Sequence, residues 1–133
     1  MDSLELEAVL GRELRARAPD LVAAYLFGSV ARGEARPDSD VDIALLYVKA
    51  PSQSFDEQPF ALAADLESLL GRSVDIVVLN DAPVDLVHRV LRDGKILIEN
   101  DRSARVAFEV RSRNEYFDLL PVLRRYRRQE GRP

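Results

Sequence analysis

The chain has no cysteine, so neither disulfides nor thiolate-metal sites are available to it. No apolar run approaches the length of a membrane span. The start, Met1-Asp2-Ser3-Leu4-Glu5, lacks the basic and apolar regions of a secretory signal, and the expected location is the cytoplasm. Neither a Walker A glycine-lysine signature nor G-x-G-x-x-G occurs, which sets aside the common nucleotide motifs. Positive charge is in short supply: Lys and Arg number 19 against 23 Asp and Glu, a formal net charge of −4. The chain as a whole is therefore not a generic nucleic-acid binder.

What is present is a globular composition, 47% hydrophobic and 32% charged over 133 residues. That fits a single domain over residues 1–133 with a core of ordinary size. The charge is uneven. Residues 1–100 hold 10 basic and 18 acidic side chains, a balance of −8, and residues 101–133 hold 9 and 5, a balance of +4. An acidic body with a basic C-terminal arm points to a partner or a counter-charged neighbour.

Periodicity places helices and strands in alternation, an α/β (α+β) layer pattern. Residues 3–17 read as an amphipathic helix with Leu6, Val9, Leu10 and Leu14 on one stripe, capped by Asp2 or Ser3. Strands are expected near 21–27, 41–48, 74–79 and 95–98. A short helix is expected over 29–34, ended by Gly33 and Pro37. A polar loop over 51–58 leads to a helix near 57–70 with Leu62, Leu66, Leu69 and Leu70 inward and Gly71 as its stop. Asn80-Asp81 is expected to cap a helix over 83–92, with Val87, Val90 and Leu91 inward. Asp101 caps a long final helix that Pro121 kinks or breaks.

The chemistry concentrates between Gly28-Ser29 and Asp40-Val41-Asp42. Asp is depleted in strands, yet Asp40 and Asp42 stand two apart at a strand start, so both leave the same face. At a separation of about 6–7 Å their repulsion is about 0.6 kcal/mol in water and several times larger where water is excluded. A hard divalent cation such as Mg²⁺ reverses the sign of that interaction. Asp75, inside the aliphatic run Val74-Asp75-Ile76-Val77-Val78, is a third carboxylate. It lies beside the first two if the second and third strands are neighbours. Gly28 permits close approach of backbone to a ligand, and a helix starting there offers N–H groups to phosphate. Arg32 and Arg36, in the loop that follows, read either as solvated surface charges or as contacts to triphosphate oxygens, and Arg32 joins Gly28 and Ser29 as a candidate nucleotide-binding residue. The single histidine, His88, reads as structural.

Gly28-Ser29, ten intervening residues and Asp40-Val41-Asp42 resemble the G-S-x₁₀-D-x-D pattern of the DNA polymerase beta-like nucleotidyltransferases. The fuller string Gly28-Ser29-Val30-Ala31-Arg32-Gly33-Glu34, with Asp38-Ser39-Asp40-Val41-Asp42, resembles their minimal nucleotidyltransferase subfamily, over about residues 4–98. The stretch 111–128 resembles that of the antitoxin members. The resemblance implies a nucleotidyltransferase fold: a small mixed sheet packed with helices, plus a C-terminal helical extension over about 101–128. It implies that Asp40 and Asp42 bind Mg²⁺, that Asp75 completes a site for two ions, and that Gly28 and Ser29 hold ATP. It further implies transfer of AMP to a tyrosine hydroxyl of a partner HEPN ribonuclease toxin, with this chain as antitoxin. Two alternatives stay open: a binding module that blocks the toxin by contact, and a nucleotidyltransferase acting on a small hydroxylated molecule. Nucleic acid is not expected as direct substrate, and the choice between a homodimer and a hetero-oligomer stays open.

Overall fold

The structure is a computed structural model that describes residues 1–34, 36, 38–50 and 58–130. Pro37 and residues 51–57, and with them most of the expected polar loop, lie outside the described residues. Four strands, β1 (Leu21–Phe27), β2 (Val41–Tyr47), β3 (Val74–Val78) and β4 (Lys95–Glu99), form one sheet in the order β3-β2-β1-β4. β1 runs antiparallel to both β2 and β4, and β2 runs parallel to β3. The sheet is mixed, as the resemblance implies.

Two layers of helix cover it. α1 (Ser3–Arg17) and α3 (Gln58–Leu70) pack on one face, where Leu6, Leu10, Leu14, Leu62 and Leu66 meet Leu26, Ile43 and Leu45. α4 (Val84–Asp93) and α5 (Arg102–Glu130) lie on the other, where Val87, Val90 and Phe108 meet Tyr25, Ala44 and Leu46. Each fully buried Leu or Ile contributes about 1.5–3 kcal/mol. β2 is covered on both faces, and Asp42 is its one residue that is not buried.

Caps follow the sequence at two helices. Asp2 accepts a hydrogen bond from the Glu5 N–H (2.8 Å) and Asp101 from the Ala104 N–H (3.0 Å). Expectations at Asn80, Leu69 and the short helix after β1 are corrected. Asn80 does not cap α4: its side-chain amide accepts from the Tyr47 N–H and donates to the Tyr47 carbonyl, both at 2.9 Å, and α4 starts after Pro83 with no side-chain cap. Leu69 is 48% exposed, because α3 turns only Leu62 and Leu66 fully inward. The short helix after β1, α2 (Gly28–Ala31), stops three residues early, and Gly33 then takes a left-handed turn at φ 73°.

Pro121 does not end α5, which runs unbroken to Glu130. Its missing N–H costs one helical hydrogen bond on an exposed surface, where water replaces the lost donor. The first half of α5 is anchored by Tyr25, whose hydroxyl donates to Glu109 (3.0 Å), while Arg105 bridges Glu109 and Glu99. Burial, then the adjacent Glu109 carboxylate, pushes the Tyr25 pKa up, so the hydroxyl stays a donor. No described helix is long and apolar enough to cross a membrane.

Candidate active site

The strand register gathers the candidate residues. Asp42 is the Cα partner of Phe27 on one side and of Asp75 on the other. The end of β1, the start of β2 and the start of β3 therefore share one edge of the sheet. Side chains alternate along a strand. Val41, Ile43 and Leu45 enter the α1/α3 core, as do Val74, Ile76 and Val78. Asp42 and Asp75 consequently point to the α4/α5 face.

The chain leaves β1 through Gly28, at φ 74°. A Cβ built on this residue would fall inside the Asp42 carboxylate. Glycine is required twice over, by the left-handed backbone and by the carboxylate that fills the space. Ser29 follows in α2, whose N-terminus has no side-chain cap.

The electrostatics are those of crowded like charges. The Asp42 pKa is raised, first by partial burial and then by Asp75 and Asp40, while Arg32 pulls it back. Arg32 is held by Glu34 (3.1 Å) and also acts on Asp93 at the end of α4. Asp40 is exposed on the loop before β2. Among the described residues, no three His, Cys, Asp or Glu side chains are gathered closely enough to enclose an ion by themselves. The donor set still suits Mg²⁺. That ion is usually held by one or two carboxylates, with waters and substrate phosphates supplying the rest of its shell. Asp42 and Asp75 in register, with Asp40 beside them, give hard oxygen donors whose mutual repulsion a cation relieves.

Arg36 lies two residues beyond Glu34 in the loop before β2. Its N–H donates to Ser39 Oγ (2.8 Å), and it lines a separate cavity of about 660 Å³ with Arg72, Gly33 and the start of α1. His88 stacks flat on Tyr116, with centroids 3.6 Å apart, and joins α4 to α5. Two further residues support the site, and Arg72 escapes a reading of the sequence. Arg72 donates from Nε (3.1 Å) and Nη2 (2.6 Å) to the Ser39 carbonyl, so the residue entering β3 grips the loop that carries Asp40. Gly94 ends α4 so close to β1 that a Cβ would overlap the Val90 carbonyl and lie 3.2 Å from that of Leu26. Arg72 has no local pattern to announce it, since Ser39 is distant in the chain, whereas Gly94 stands where the sequence places the stop of the helix over 83–92.

Comparison with known proteins gives a match to the family described as polymerase beta, nucleotidyltransferase, over residues 12–103. The protein adenylyltransferase MntA of Shewanella oneidensis is 38% identical over 84 residues, which are 63% of this chain and 58% of that protein. The chain thus spans little more than half of that relative's length. Among solved structures, a toxin–antitoxin with AMP-PNP is similar at a TM-score of 0.82 and 29% identity, over 95% of this chain and 98% of the other. The MNT antitoxin in complex with a tri-AMPylated Shewanella oneidensis HEPN toxin is similar at a TM-score of 0.78 and 27% identity, over 98% and 99%.

Proposed function

The chain belongs to the polymerase beta nucleotidyltransferase family, and from that premise we propose that it transfers AMP from ATP to a tyrosine hydroxyl of a partner HEPN ribonuclease toxin. It acts in the cytoplasm as that toxin's antitoxin, with residues 4–98 as catalytic core and 101–128 as an extension within one domain. The observation that carries the reading is the register that sets Asp42 beside Asp75, with the bare backbone of Gly28 against the Asp42 carboxylate. Two relatives in structure, one described with AMP-PNP and one with an AMPylated toxin, support the choice of donor and acceptor.

The residues divide the work. Gly28 and Ser29 lie against the triphosphate, Gly28 because no side chain intervenes and Ser29 through backbone N–H groups at the uncapped start of α2. Arg32, next to Asp42, faces the same phosphates with a positive charge. Asp40, Asp42 and Asp75 would hold two Mg²⁺ ions, which supply charge neutralisation for the triphosphate when bound. Asp75 accepts the proton of the attacking hydroxyl. The hydroxyl oxygen bonds to the α-phosphorus, the bond from that phosphorus to the bridging oxygen of the β-phosphate breaks, and pyrophosphate leaves with the electron pair. Little covalent chemistry falls to the protein, so positioning and electrostatics carry the rate.

The test is intact-mass spectrometry of the neighbouring gene's HEPN-family product after incubation with this protein, ATP and Mg²⁺. A gain of whole adenylyl units, absent with the Asp40→Asn, Asp42→Asn double variant, is the expected result. A stable complex with no gain in mass would leave a contact antitoxin instead.

A further inference from the structure

The apolar side of α5 continues past the residues that join the core. Ala104 and Phe108 join the α4/α5-side core, and among the described residues that core takes nothing from α5 beyond Phe108. Tyr116 makes the last ring contact to α4, on His88. After it come Leu119, Leu120, Val122, Leu123 and Tyr126, which belong to neither core cluster. Tyr116, Leu119, Leu120, Leu123 and Tyr126 keep the i, i+3, i+4, i+7 spacing of one helix face. Tyr116, Leu119, Leu120 and Leu123 are half-buried, while Val122 is 49% and Tyr126 63% exposed.

Direction matters as much as composition. α5 starts at the far end of the sheet, where the Asn100 and Asp101 N–H groups donate to the Val22 carbonyl. It then passes His88 in the middle of α4. α4 ends at Gly94 against Leu26, at the edge that carries Gly28, Asp42 and Asp75. Beyond Tyr116, residues 117–130 extend for about 20 Å at 1.5 Å per residue, whereas α4 has about 8 Å left after His88. The seam therefore runs on from His88 toward the side of the candidate site, with Leu119, Leu120 and Leu123 still half-buried. Arg124, Arg125, Arg127 and Arg128 flank it. The match to the family stops at residue 103, near the start of α5.

We propose that residues 116–126 of α5 are the docking seam for the acceptor protein. The partner presents a helix with an apolar stripe and acidic flanks, and the seam holds the acceptor hydroxyl at the Asp42–Asp75 edge. The inference rests on the reading that the acceptor is a protein. Apolar surface on the seam supplies the attraction, and the arginine cluster selects an acidic complement and rejects basic surfaces.

The experiment compares the full-length chain with Leu123→Glu, Tyr126→Glu and with Arg124→Glu, Arg125→Glu, Arg127→Glu. Binding of the neighbouring HEPN-family protein is measured by calorimetry, binding of AMP-PNP with Mg²⁺ by fluorescence, and self-association by sedimentation. The expected result is partner binding at least tenfold weaker in both variants, with AMP-PNP binding and circular dichroism unchanged. Partner binding equal to wild type overturns the inference, as does a wild-type homodimer that the substitutions dissociate while toxin binding persists. The two readings separate cleanly. If the variants lose the partner but the wild type never adds adenylyl mass to it, the seam stands and the transfer reaction falls. If the variants bind and modify the partner normally, the reaction stands and the seam falls.

Discussion

The Asp42 carboxylate occupies the space in which a side chain on residue 28 would begin, and Gly28 is held at φ 74° beside it. Gly71 has nearly the same backbone, φ 66°, with nothing within 4 Å of the point where a Cβ would stand. The pair separates backbone strain from collision. Gly71→Ala is expected to cost about 1 kcal/mol and to leave AMP transfer untouched. Gly28→Ala is expected to cost about 2 kcal/mol or more and to lower the rate by about 10²-fold, because the carboxylate must move. Urea denaturation and a transfer assay on both variants check this.

Asp42→Asn separates function from stability. Transfer should be lost, yet the metal-free variant should be slightly more stable than the wild type, since repulsion from Asp75 and Asp40 is removed. The site is partly open to water, which holds the gain below about 1 kcal/mol, a rise in Tm of a few degrees.

The same carboxylate predicts a pH dependence of unusual sign. Its folded-state pKa is raised above the ordinary 3.8, so the folded state takes up this proton before the unfolded state as pH falls. Between 3.8 and the raised value the contribution of Asp42 to metal-free stability grows as pH falls and declines as pH rises. Thermal melts of wild type and Asp42→Asn across that window should differ in slope in that direction, and saturating Mg²⁺, which favours the charged carboxylate, should reverse the sign of the difference.

Asp75→Asn is expected to reduce kcat by at least about 10² while AMP-PNP still binds, since Gly28, Ser29 and Arg32 are unchanged. A parallel loss of AMP-PNP affinity would instead make Asp75 chiefly a metal ligand. Single-turnover kinetics with equilibrium binding distinguishes the two.

Arg72 holds the loop of Asp40 through the Ser39 carbonyl. Removing a charged donor from such a bond costs about 1.5–3 kcal/mol. Arg72→Ala should therefore raise the Mg²⁺ concentration needed for half-maximal rate with little change in ATP affinity at saturating metal. Arg72→Lys, which keeps one donor, should recover part of the loss. A metal titration of the rate reads both.

Much of the fold was legible because it rests on local pattern. The stripes of α1, the aliphatic run of β1 and the caps Asp2 and Asp101 are set by neighbours within four residues, and the structure keeps each of them. Asn80 shows where local reading fails. It looks like a cap, but the Tyr47 backbone, 33 residues away, offers its amide both a donor and an acceptor. Leu69 fails similarly, since a helical stripe shows which side is apolar but not how wide the contact with the sheet will be.

The sequence by itself determined the chemical inventory: Gly28, Ser29, Asp40, Asp42 and Asp75, at spacings that put each at a strand end. Only the tertiary structure decided their mutual placement. Register is a long-range property, because a shift of one residue in β3 would send Asp75 to the opposite face and out of reach of Asp42. The parallel pairing of β2 with β3, the grip of Arg72 on Ser39 and the stacking of His88 on Tyr116 all depend on contacts between segments far apart in the chain. A linear pattern names the groups, and packing sets the distances at which they act.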